Sequence, residues 1–324
     1  MEDSHFSTPI LFIIFNRPDT ARAVFEEIRK IRPKRLFVAA DGPRPSRPDD
    51  IEKCQRTKEI LKGIDWDCEL KTFFRESNVG CGLNVAESIS WFFSHVDKGI
   101  IMEDDIIPHP EFFPFCTQML ERYENDESVA AINGFYGENI PYTEDSYFFR
   151  TDFSGWGWAT WKRVWDKFDF FLRDYSRQDL KNAMRRIHAE RKEWLNKKDQ
   201  YLLTRQGKAD SWDWQFRLYL LKWNSFVLTP RLNMVKCIGY GDDSSHFKGQ
   251  KAPKHIVYPI FPLRHPEKVE CITPAYNSRR YTVAVRLPGS RHSFMMKKNF
   301  IWWTWRWFRR NFIASTLYSP TDNR

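Results

Sequence analysis

Three consecutive carboxylates, Glu103, Asp104 and Asp105, stand between the apolar run Gly99-Ile100-Ile101-Met102 and the sequence Ile106-Ile107-Pro108. The pattern reads as a buried strand that ends in an acidic tip. Adjacent like charges cost on the order of 1 kcal/mol per pair even with generous screening, and more where an apolar strand carries them out of bulk water. A divalent cation relieves that repulsion. Hard carboxylate oxygens suit Mg2+ or Mn2+, ions that complete their shells with substrate phosphates. An isolated acidic triplet is more often a solvated loop, but this one closes a strand in an alternating β/α pattern, where open α/β sheets bind their ligands.

Arg17 and Asp41 share that placement. Each follows an apolar run of strand length, residues 9–15 and 35–40, so in a parallel sheet both belong on the same edge as the acidic tip. A nucleoside diphosphate would use all of these groups: Asp41 to accept from base or ribose, Arg17 to meet base or phosphate, and a metal to bridge the diphosphate. Taken singly, each is an ordinary turn or capping residue; their coincidence on one edge is the evidence.

The elements that must position these groups follow from periodicity. After the first strand, residues 20–31 have helical spacing through Ala21, Val24, Phe25 and Ile28, with Pro18 and Asp19 suited to the first turn. A second strand over 35–40 stops at Asp41-Gly42-Pro43, a polar helix covers 51–61 and a third strand 68–74. The glycine-bearing turn 78–82 leads into a helix over 83–96, which feeds the acidic strand. A helix over 111–123 and a short strand over 129–132 follow. Strand alternating with helix predicts an α/β fold with a mostly parallel central sheet flanked by helices. Three regions are expected: a nucleotide-sugar-binding half over 1–150, an acceptor-side half over 151–270, and a tail over 271–324. The second holds a tryptophan-rich piece over 155–161, a charged helical stretch over 173–198, a helix over 212–221 and a glycine-containing loop over 239–246.

Composition bounds the class. The 324 residues are 42% hydrophobic and 16% aromatic, which predicts a globular chain with a sizeable core. Six cysteines without C-x-x-C spacing argue against zinc and against a disulfide framework, and fit reduced thiols in the cytoplasm. The acidic start and the short first apolar run predict no secretory leader, and no stretch is apolar enough to span a membrane. The formal charge of +9 raises nucleic acid as a partner. Over half of that excess, however, lies in one compact tail segment, which ranks nucleic-acid binding last.

The chain resembles the GT-A-fold glycosyltransferases, and within them the N-acetylglucosaminyltransferase I type and related bacterial nucleotide-sugar transferases. The resemblance covers roughly residues 9 to 247. It rests on Pro-Ile-Leu-Phe-Ile-Ile-Phe-Asn-Arg-Pro (9–18), Ala-Ala-Asp-Gly (39–42) and Ile-Ile-Met-Glu-Asp-Asp-Ile-Ile-Pro-His-Pro-Glu-Phe-Phe (100–113). Gly-Trp-Gly-Trp-Ala-Thr-Trp-Lys (155–162) and Ser-Trp-Asp-Trp-Gln (211–215) look like later motifs of the family. The resemblance implies that Asp105 binds the metal, that Glu103 and Asp104 face the sugar nucleotide, and that Arg17 and Asp41 hold the base, with a UDP-sugar as donor. It also implies a general base in a tryptophan-aspartate context. That points to Asp213, with Asp210 as its rival because the spacing differs from the family's tryptophan-aspartate-aspartate-tryptophan. A base is needed because a sugar hydroxyl is a poor nucleophile until deprotonated. Inversion at the anomeric carbon is implied as well.

Three further features have two readings each. His246 either closes over the diphosphate or metal or is a plain surface residue. Trp158, with Trp156 and Trp161, either stacks on a sugar face in the nucleotide-sugar site or belongs to the core. On a helix over 294–313, Phe300, Ile301, Trp303, Trp307 and Phe308 share one side and Lys298, Arg306, Arg309 and Arg310 the other. That is the signature of a helix lying in an anionic membrane interface, as against one packing on the catalytic domain.

The expectation is a metal-dependent glycosyltransferase at the inner face of a membrane, moving a sugar to a carbohydrate or lipid-linked acceptor. The alternatives are a membrane-active or carbohydrate-binding protein without transfer activity, and a sugar-1-phosphate nucleotidyltransferase. The latter would want a glycine-rich phosphate loop after the first strand, where Phe15-Asn16-Arg17-Pro18 has no glycine.

Overall fold

The computed structural model describes residues 6–137, 143–187, 191–209, 211–240 and 256–271. They fall into two compact units, one drawn from 1–170 and 210–273, the other from 171–209 and 274–324. In the first unit the chain order is β1 (Ile10–Ile14), α1 (Pro18–Ile31), β2 (Arg35–Ala40), α2 (Asp49–Lys58), β3 (Glu69–Phe74), α3 (Cys81–Phe93), β4 (Lys98–Glu103), β5 (Ile106–Pro108), α4 (Phe112–Arg122), β6 (Val129–Asn133), β7 (Tyr147–Arg150), β8 (Trp158–Trp161) and α5 (Lys162–Trp165). The second unit supplies α6 (Arg177–Arg186) and α7 (Arg191–Arg205), after which the first resumes with α8 (Asp213–Trp223), β9 (Phe226–Pro230) and β10 (Val235–Cys237).

Eight strands form one sheet in the order β3-β2-β1-β4-β8-β6-β9-β7. Strands β1 to β4, β6 and β9 run one way, and β8 and β7 run against them. The α/β fold with a mostly parallel sheet is therefore observed. Strand β1 is buried at every residue, as a central parallel strand covered on both faces must be. Helix α1 turns Ala21, Val24, Phe25 and Ile28 inward, begins with Pro18, and carries Asp19 in its first turn and Arg29 and Lys30 in its last. Gly80, at φ 90°, makes the left-handed step into α3 that a residue with a Cβ would resist.

The chain runs outward from β1 through β2 to β3 and then returns to place β4 on the other side of β1. The order reverses between β1 and β4, so a crevice opens at their carboxyl ends. The register sets Ile13 beside Glu103 and so brings the residues after both strands together.

Residues on both sides of position 150 build this one sheet, since β7, β8 and β9 belong to it. The charged helical stretch expected over 173–198 holds α6 and the start of α7. The first starts at Ser176 because a capping box is present: Ser176 Oγ accepts the Asp179 N–H at 3.0 Å while Asp179 Oδ2 accepts the Ser176 N–H at 2.8 Å. Within that unit the Tyr201 hydroxyl donates to the Tyr175 carbonyl at 2.8 Å.

Candidate functional site at the β1–β4 crevice

Arg17 leaves the end of β1 and Asp104 and Asp105 form the turn after β4, so the sheet itself brings cation and anions together. Arg17 Nη1 lies 2.9 Å from Asp105 Oδ2, and Nη2 bonds Asp104 Oδ1. The Phe15 N–H donates to Asp104 Oδ2 at 3.0 Å. Side-chain exposure is 4% for Asp104 and 14% for Asp105, so these are enclosed charges and not a solvated loop. The Ile238 N–H donates to the Asp105 carbonyl at 2.8 Å, and Gly239 follows against the ion pair. A Cβ on Gly239 would stand 1.9 Å from Asp105 Oδ2 and 2.8 Å from Arg17 Nη1.

The electrostatics follow from burial and crowding. Burial, then the charges of Asp105 and Asp104, push the Glu103 carboxyl far above the ordinary range, with Arg17 opposing and Asp213 adding to the rise. Burial works against the Arg17 charge, but Asp104 and Asp105 more than outweigh it and hold the guanidinium protonated. Burial raises the Asp104 carboxyl as well, with Arg17 pulling the other way.

Asp41, buried at the end of β2, is wrapped in donors. Its Oδ1 accepts the N–H groups of Gly42 at 2.9 Å and Val79 at 3.0 Å, and its Oδ2 accepts Asn78 Nδ2 at 2.8 Å. Burial pushes its carboxyl up to about 6 against the pull of those amides. The residue thus staples the loop after β2 to the loop after β3, and Gly42 lies so near Ser77 that a Cβ would meet its backbone at 2.4 Å. Beside it, Asp50 receives Asn16 Nδ2 at 2.6 Å and Arg44 Nη2 at 2.8 Å, and the Arg44 guanidinium lies 5.3 Å from the centre of the Phe15 ring. Sequence reasoning missed Asp50, Arg44 and Asn78. Asp50 looks like any acid in the first turn of a polar helix until the fold closes over it.

Asp213 opens α8, its side chain 38% exposed. Ser211 Oγ donates to Asp213 Oδ1 at 2.6 Å, and Arg217 Nη2 lies 3.4 Å from Oδ2. Arg217 Nε also lies 3.9 Å from Asp152, which accepts Arg150 Nη2 at 3.0 Å.

Trp158 corrects one expectation. It lies on β8 at 0% exposure, stacked on Trp212 at 5.5 Å between ring centres and edge-on to Phe153 at 4.9 Å. Its partners cover the ring, so no face is left to stack on a sugar. The strand's antiparallel pairing with β4 carries the ring into the core. Trp161 is likewise buried, its indole N–H on the Leu120 carbonyl at 3.1 Å. Trp156 is half-buried and packs against Phe135 at 4.6 Å. Asp210, His246, Trp303, Arg306, Trp307, Arg309 and Arg310 lie outside the described residues.

The donor chemistry of the tip, hard oxygens at a strand end, is right for Mg2+ or Mn2+. Their arrangement does not fit one: among the described residues no three His, Cys, Asp or Glu side chains converge as a metal site. Both oxygens of Asp104 and one of Asp105 are engaged by Arg17 and the Phe15 amide.

No protein-family model matches the chain, and no curated protein sequence does. Among solved structures the chain is similar to HddC from Yersinia pseudotuberculosis, at 7% identity and a TM-score of 0.30, over 52% of this chain and 80% of that one. It is similar to 4-diphosphocytidyl-2C-methyl-D-erythritol synthase from Anaerococcus prevotii, at 10% identity and a TM-score of 0.32, over 56% and 84%. It is also similar to the inositol-1-phosphate CTP transferase from T. maritima, at 9% identity and a TM-score of 0.34, over 69% and 85%.

Proposed function

We propose that the chain is a glycosyltransferase that moves a sugar from a nucleoside diphosphate donor, a UDP-sugar by its motifs, to an acceptor hydroxyl. One observation carries the reading: at the switch point between β1 and β4, Arg17 is joined to Asp104 and Asp105 at the carboxyl edge of the sheet. An acidic tip, an arginine and an exposed aspartate on a second element are what a donor site facing an acceptor site requires.

In this reading the donor lies along the carboxyl edge, its nucleoside toward the Asp41 and Arg44 loop. Asp213 accepts the acceptor's hydroxyl proton as the new bond forms between that oxygen and the anomeric carbon. The bond from the anomeric carbon to the diphosphate breaks on the opposite face, and the electron pair leaves with the diphosphate. The Ser211 hydroxyl and Arg217 hold the Asp213 carboxylate in place. The segment 294–313, whose aromatic and basic residues have helical spacing, would lay its aromatic side in an anionic membrane surface and so bring the protein to a membrane-presented acceptor.

Nucleotidyl transfer to a sugar phosphate is the second reading, since the same sheet edge would serve a nucleoside triphosphate. The short, glycine-free connection between β1 and α1 speaks against it. One experiment separates the two. Purified protein is incubated with a panel of nucleoside diphosphate-sugars, and separately with nucleoside triphosphates plus sugar 1-phosphates. Release of nucleoside diphosphate supports glycosyl transfer, release of pyrophosphate supports nucleotidyl transfer, and no stabilisation by any nucleotide in thermal melts defeats both.

A further inference from the structure

The acidic tip that looks from its sequence like a cation site already holds a cation of its own. The Arg17 guanidinium spans two separate carboxylates, with Nη1 2.9 Å from Asp105 Oδ2 and Nη2 on Asp104 Oδ1. The other oxygen of Asp104 takes the Phe15 N–H at 3.0 Å. The backbone at Gly239 walls the same pair, since a methyl group there would stand 1.9 Å from Asp105 Oδ2. A divalent ion needs oxygens of different groups aimed at one centre, about 2.0 to 2.6 Å away. Here a planar fork of N–H donors stands where that centre would lie and directs each oxygen to a different nitrogen. An arginine keeps its charge at any physiological pH, so the place is not vacated by deprotonation.

We propose that Arg17 is the resident cation of this tip, and that Asp104 and Asp105 take up a divalent ion only when the guanidinium is removed. This departs from the metal-dependent expectation. It concerns the charge balance of the crevice and does not depend on which group the protein transfers.

The test measures Mn2+ alone, by the loss of the free-ion electron paramagnetic resonance signal on titration into the full-length protein. The quantity read is the part of the binding that Asp105→Asn abolishes, so ions held elsewhere on the chain do not enter. The wild type is expected to show no such part at Mn2+ concentrations up to about 1 mM, a range in which weak oxygen-ligand sites fill. Arg17→Ala is expected to gain it, with affinity at least about tenfold tighter, and Arg17→Ala combined with Asp105→Asn to lose it again. Arg17→Gln, which keeps a polar side chain of similar reach, covers the case in which the alanine variant does not fold. Asp105-dependent Mn2+ binding in the wild type overturns the proposal. So does failure of both Arg17 variants, folded by circular dichroism, to gain binding. Transfer activity plays no part in the readout, so the proposed reaction and this inference fail separately.

Discussion

Arg17 and Asp105 are 88 residues apart in the chain and 2.9 Å apart at Nη1 and Oδ2. Nothing local unites them. The return of the chain to β4 beside β1 puts the two strand ends in one crevice, and the arginine offsets part of the repulsion within the acidic tip. Gly239 completes the arrangement by bringing bare backbone against both partners.

Gly239→Ala is expected to separate that pair, because a methyl group placed 1.9 Å from Asp105 Oδ2 must displace it. Overpacking of this kind costs about 1 to 3 kcal/mol, read from urea unfolding at neutral pH. An alanine variant as stable as the wild type would show that the 238–240 backbone does not press on the ion pair.

Asp50 sets a pH dependence. Its Arg44 hydrogen bonds hold the carboxyl down to about 2 against the opposing effect of burial. The group is thus depressed in the folded state, so its stabilisation is present in full above the ordinary aspartate range. It is lost as pH falls from about 4 to about 2. Arg44 is more than a third exposed, so after screening the pair is expected to contribute only about 1 to 2 kcal/mol. Asp50→Asn should lose that amount at pH 7, and the deficit should shrink toward zero only as pH falls to about 2. An equal deficit at both pH values would assign the loss to packing.

Asp213→Asn removes the proton acceptor and keeps the shape. Turnover should fall by about 100- to 10,000-fold, the range for loss of a general base, while nucleotide-induced stabilisation stays as in the wild type. Arg217→Ala frees the same carboxylate from its neighbour at 3.4 Å and should give a smaller fall, with Arg217→Lys in between. Retained turnover in Asp213→Asn moves the role to another group, with Asp210 first in line.

Removal of residues 294–324 should abolish cosedimentation with vesicles containing about 30% anionic lipid while leaving release of nucleoside diphosphate from a soluble donor intact. Among the described residues no helix is long and apolar enough to cross a membrane. Equal vesicle binding with and without the tail removes the case for an interfacial helix.

Much of the first half was legible because its signals are local. The apolar run of β1, the 3.6-residue spacing of α1 and the acids closing β4 each declare an element and its end without help from elsewhere. The role of an aromatic or acidic side chain was not legible in the same way. Trp158 serves equally well, on paper, as sugar platform or core, and Asp41 as nucleotide acceptor or loop staple. The partners that surround them, Trp212 for the one and Asn78 and Val79 for the other, come from 54 and 37 or 38 residues away in the chain.

From its order of residues alone the chain determined that strands and helices alternate, that the sheet is mostly parallel, and that Arg17, Asp41 and the triplet at 103–105 lie toward one edge. Hydrophobic period and turn chemistry act over a few residues, and a parallel sheet then aligns its strand ends. Only the tertiary structure decided which of those charges satisfy one another. Pairing depends on distances of about 3 Å between groups far apart in the chain, and burial in the crevice is what makes each such pairing, or its absence, costly.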